Sequence, residues 1–67
     1  MLLIDPYAYK HLSFKDIKFL NAVVDAIVSE KDEIDTKLLI ITTLALYKPG
    51  MNKHALKTHV YRELKLN

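Results

Sequence analysis

Three features of the sequence predict an all-α fold, a small three-helix bundle behind a short N-terminal segment. Ser13, Asp35 and Asn52 each follow an apolar residue and precede another by four positions, the pattern of a capped and stapled helix start. Residues 14–30 carry apolar side chains at helical spacing. The run from Leu38 to Tyr47 holds no charge, so it has no polar face at any helical angle. Such a segment is expected to be covered on all sides, with Ile41 and Leu44 buried and the other helices packed around it.

The N-terminal segment starts Met-Leu-Leu-Ile, which fits either an extended arm or a small strand. Asp5 and Pro6 then form a cap and first-turn pair, because proline has no N–H to leave unpaired there. The first long helix is predicted over residues 14–30. Ser13 is its cap and Asp16 stands at the reciprocal capping-box position, with Leu12 and Ile17 as staple. Ile17, Leu20, Val24, Ile27 and Val28 form its core stripe, widened by Phe14, Phe19 and Val23. Lys18, Asn21, Asp25 and Ser29 form its wet face.

The acidic segment 30–35 is predicted to be a turn. Asp35 caps the central helix, with Ile34 and Leu39 as staple. Four β-branched residues, Ile40 to Thr43, also fit a buried strand; the length of the run and the cap favour helix. Pro49 pushes Lys48 away from helical angles, so the helix stops near Tyr47. Gly50, the only glycine, permits a positive φ in the turn. Asn52 caps the last helix, with Met51 and Leu56 as staple, and Leu56, Val60 and Leu64 form its apolar stripe.

A chain of 67 residues makes one domain, spanning 1–67. It has no cysteine, hence no disulfide or thiolate metal site, which fits a reducing compartment. Hydrophobic residues make up 51% of it, more than so short a chain can bury, so a homodimer is expected. The N-terminus lacks a basic leader and the uncharged run is about half of the ~20 residues of a membrane span. A complete small cytoplasmic protein with no membrane contact is the expectation. Net charge is +2 but uneven. Residues 48–67 hold Lys48, Lys53, Lys57, Arg62 and Lys65 against Glu63 alone, while residues 1–47 carry an acidic excess.

The last helix therefore carries the candidate site. His54, Thr58, Arg62 and Lys65 are predicted to lie together opposite the apolar stripe, with Lys53 and Lys57 at its edge and His59 on the flank. Cations and a hydroxyl on one face suit phosphate contacts, and Arg62 can read a guanine edge. The same pattern also fits a solvated face whose basic residues favour the helix dipole. The string Leu56-Lys57-Thr58-His59-Val60, with Gly50 before it and Leu64 after it, resembles the recognition helix of the LuxR-type response regulators. The resemblance implies a helix-turn-helix-like C-terminal half that binds DNA. It departs from that pattern in two places. The small residue of the preceding helix falls at Leu46, with Ala45 one place off, and Lys48-Pro49 interrupts the turn. It is a likeness and not an assignment.

Other chemistry finds little footing. His54 and His59 do not share a helix face, His11 is remote, and no carboxylates stand beside them, so no metal and no cofactor is expected. There is no phosphate-binding glycine loop and no nucleophile–base arrangement, so no enzyme activity is expected. Tyr7, Tyr9, Tyr47 and Tyr61 fit either an interface set or ordinary packing at the core boundary. The functional expectation is a small regulatory DNA-binding module. The alternative is a protein-interaction module, an adaptor or inhibitor whose basic face meets an acidic partner.

Overall fold

A computed structural model describes residues 11–31 and 33–66. Three helices follow one another: α1 (Phe14–Glu30), α2 (Thr36–Leu46) and α3 (Lys53–Glu63). Each packs against both others, and there is no strand among the described residues. The arm at residues 1–4 and the Asp5-Pro6 turn lie outside the described residues.

All three helices start by one device. The Ser13 hydroxyl accepts the Asp16 N–H at 3.1 Å, and Asp16 accepts the Ser13 N–H at 3.2 Å, completing the capping box. Asp35 accepts the Leu38 N–H at 3.2 Å, and Asn52 accepts the Ala55 N–H at 2.7 Å. Each cap satisfies a backbone donor that the helix leaves free and contributes about 1 kcal/mol. The fourth residue beyond each cap, Ile17, Leu39 or Leu56, is fully buried, while Leu12, Ile34 and Met51 pack on the core from outside.

The core is dominated by α1, which buries Ile17, Leu20, Val23, Val24 and Ile27; α2 adds Leu39, and α3 adds Leu56 and Val60. Phe14 does not widen the α1 core face: at the first helical position it stands 70% exposed, with the Lys18 ammonium 5.7 Å from its ring.

The central helix corrects a larger expectation. It is not covered on all sides. It turns Leu39, Thr42 and Thr43 inward and leaves Leu38 49% and Ile41 54% exposed, with Ala45 beside them. Leu44 is half-buried. The reason is local. The Thr43 hydroxyl donates to the Leu39 carbonyl one turn back at 2.7 Å, so it enters the core with its hydrogen bond already made. With no charge on any face, polarity did not select the inward side.

The connection to α3 turns at Lys48-Pro49-Gly50-Met51. The Met51 N–H donates to the Lys48 carbonyl at 3.2 Å, and Gly50 has φ 91°. Proline second and a positive-φ glycine third is the type II turn arrangement. The far end of α3 closes before Leu64 and Lys65, which the apolar stripe and the basic face place on the helix. Leu64 is its cap, and Lys65 takes φ 55°. The Lys65 N–H donates to the Arg62 carbonyl at 3.2 Å and the Leu66 N–H to the Tyr61 carbonyl at 2.8 Å, a Schellman closure with lysine in the place glycine usually takes.

Candidate nucleic-acid interface

Helix α3 faces the core with Leu56 and Val60, which fixes what it shows to solvent. His54, Thr58 and Arg62 are exposed on the opposite side, each four residues from the next and so on successive turns. Lys53 is exposed at the first position and Lys48 on the preceding turn. His59 and Glu63 are exposed on the flank. Lys65 is exposed but does not belong to the helical face: the chain leaves the helix before it, and it projects from the closing turn.

Lys57 stands apart from the other candidates. Its ammonium pairs with the Glu30 carboxylate at the end of α1. The Tyr61 hydroxyl donates to the other oxygen of Glu30 at 2.5 Å. The Lys57 and Lys31 ammonium groups lie 5.8 and 5.5 Å from the centre of the Tyr61 ring. This cluster ties α3 to α1. The hydrogen bond from Lys57, then that from Tyr61, hold the Glu30 carboxyl below its ordinary range. The bond to Glu30 in turn pushes the Tyr61 phenol up to about 12. The Lys57 charge is therefore partly neutralised inside the chain, and the surface charge of α3 rests on Lys53, Arg62 and their neighbours at the two ends.

Sequence reasoning missed Glu30 and Lys31, which meet Lys57 and Tyr61 of this helix. The matching contact at the other end of α1 joins Tyr47 to Asp16. Two of the four tyrosines are thus engaged within the chain, as boundary packing; Tyr7 and Tyr9 lie outside the described residues. Among the described residues no group of histidines and carboxylates is placed to hold a metal ion, and no helix is long and apolar enough to cross a membrane. A cleft of about 350 Å³ opens between α1 and the turn, lined by Lys15, Asp16, Phe19, Tyr47, Pro49, Gly50 and Met51. Its one carboxylate already accepts from Tyr47 and Ser13.

No protein family, curated protein or solved structure matches the chain. What α3 presents is exposed cations and a hydroxyl on its solvent face.

Proposed function

We propose that the protein is a small regulatory nucleic-acid-binding module, cytoplasmic and without a catalytic step, that meets the phosphate backbone through α3. One observation carries this reading. Lys53, His54, Thr58 and Arg62 are all exposed on α3, with Lys48 and Lys65 exposed at its two ends and Glu63 the one carboxylate on the helix. The succession of α2, turn and α3 supports a helix-turn-helix-like use of the last helix. The connection at residues 47–52 is longer than the three to four residues of that motif, which favours backbone contact over base reading.

The test is binding of labelled duplex DNA followed by anisotropy. Affinity should fall with salt at a slope of about −3 to −4 in log K against log salt, matching the three to four cations that are not paired internally. Lys53, Arg62 and Lys65 changed together to Gln should abolish binding while helicity is kept. Lys57→Gln alone should weaken it less than Arg62→Gln, since Lys57 is already bonded to Glu30. No binding at about 50 mM salt, or a triple variant that binds equally well, would end this reading.

A second reading, a protein-interaction module, is favoured by the exposed aliphatic face of α2. In that case the basic face of α3 meets an acidic protein partner, and the DNA titration stays flat.

A further inference from the structure

Helix α2 turns Thr42 and Thr43 inward with Leu39 and leaves other aliphatic side chains outward. Thr42 and Thr43 are buried, whereas Leu38, Ile41 and Ala45 lie exposed along one line of the helix, at spacings of three and four. No charge interrupts that line between Lys37 and Lys48. Its two ends differ in net sign. Exposed Lys37 stands within its N-terminal end, and the two exposed carboxylates before it, Glu33 and Asp35, leave that end net negative among the described residues. Lys48 is exposed at the C-terminal end.

We propose that this face is the interface of a homodimer in which two α2 helices lie antiparallel about a two-fold axis beside Ile41. Ile41 is the middle residue of Thr36–Leu46, so pairing it with its own copy uses the whole helix. That register sets Leu38 level with Leu44 of the partner subunit and Lys37 level with Ala45 of the partner subunit. The small side chain of Ala45 lets the two axes approach closely. Lys48 comes level with Ile34 of the partner subunit, between the partner's Glu33 and the partner's Asp35. Parallel pairing would instead set Lys48 against its own copy and Glu33 against its own copy. The antiparallel arrangement also opposes the two helix dipoles favourably. A helix of this length spans about 16 Å, so the contact falls below the ~800 Å² per partner of a standard interface. The dimer is accordingly weak and sensitive to concentration.

The test uses the full chain and no nucleic acid, so its result is separate from that of the α3 reading. Sedimentation equilibrium between about 1 μM and 1 mM should show the mass rising from 7.8 kDa toward twice that value. Lys48→Glu should weaken association severalfold, and adding Glu33→Lys should restore part of it, because the swap rebuilds one of the two cross-pairs with reversed sign while Asp35 stays. The chain has no cysteine, which allows a positional probe. Ile41→Cys should form a disulfide-linked dimer much faster than Asp25→Cys, placed on the exposed side of α1, with both variants keeping native helicity. A monomer throughout the concentration range overturns the proposal. Association in which the two cysteine variants cross-link equally, or in which the charge swap restores nothing, overturns it as well.

Discussion

The Tyr47 hydroxyl donates to the Asp16 carboxylate at 2.5 Å, joining the end of α2 to the first turn of α1. Asp16 is at the same time the reciprocal member of the capping box with Ser13. One carboxylate therefore both closes the start of a helix and holds the next helix against it. The Tyr47 ring also packs on Phe19, with centroids 5.8 Å apart. Tyr61 and Glu30 repeat the arrangement at the other end of α1. The two contacts tie α1 at its ends while the aliphatic core fills its middle.

Tyr47→Phe should leave the fold intact and lower its melting temperature at neutral pH. The ring contact with Phe19 is kept and only the hydroxyl is lost. The clearer readout is Asp16 itself. Its carboxyl lies below the ordinary value of 3.8, first because of the bond from Tyr47 and then because of those from Ser13. A group lowered in the folded state stabilises the fold above its unfolded value, and that stability is lost as pH falls through the folded value. In the variant the Asp16 titration, followed by carboxyl NMR, should move up toward 3.8. An unmoved titration would show that Tyr47 does not hold Asp16 in solution.

The alkaline side has the opposite sign. Tyr61 is pushed up to about 12 and Tyr47 is raised from 10.0, in each case first by the bond to its carboxylate. Their stabilisation is fully present below pH 10 and is lost as pH rises toward 12. Absorbance titration of the tyrosines should show a component near 12 that Tyr61→Phe removes. If all four tyrosines ionise together near 10, the Tyr61–Glu30 bond does not persist in water.

Lys65→Gly should stabilise the protein. Lys65 holds φ 55° in a Schellman closure that any side chain with a Cβ resists. Relief of that strain is worth about 1 kcal/mol, roughly 4–8 °C in the melting temperature of a chain this small. Leu66, which packs on the core just beyond, stays in place. A lower melting temperature would mean that the turn is not populated as described.

How much of this was legible follows from the distances over which each feature is encoded. The three helix starts were legible because cap and staple lie within five residues of each other, at Leu12–Ile17, Ile34–Leu39 and Met51–Leu56. The Gly50 turn was legible for the same reason, since only glycine takes its φ without strain. The pairings of Glu30 with Lys57 and Tyr61 span 27 and 31 positions and leave no local pattern. Lys65 was placed on the helical face because the left-handed position that closes α3 holds lysine, so no residue announces the end. The inward side of α2 was hidden by uniformity: a helix apolar all round gives periodicity nothing to resolve. The candidate site was legible as a cluster of charge, but not in which cations are already bonded within the chain.

The two sides of α2 should separate sharply under mutation. Leu39 is fully buried among α1 and α3 side chains, whereas Ile41, two residues on, is 54% exposed. Leu39→Ala removes buried methyl groups and leaves a cavity, a loss of about 2–5 kcal/mol. A core this small rarely supplies more than ~3–5 kcal/mol in total, so that variant should be largely unfolded at room temperature. Ile41→Asp places a carboxylate in water rather than in the core, and the helical signal and cooperative melt of the monomer should survive it. Circular dichroism at low micromolar concentration compares the two directly. If Ile41→Asp unfolds the chain as completely as Leu39→Ala does, Ile41 is buried in the monomer, and the exposed face of α2 that both the dimer and the protein-interaction reading depend on does not exist.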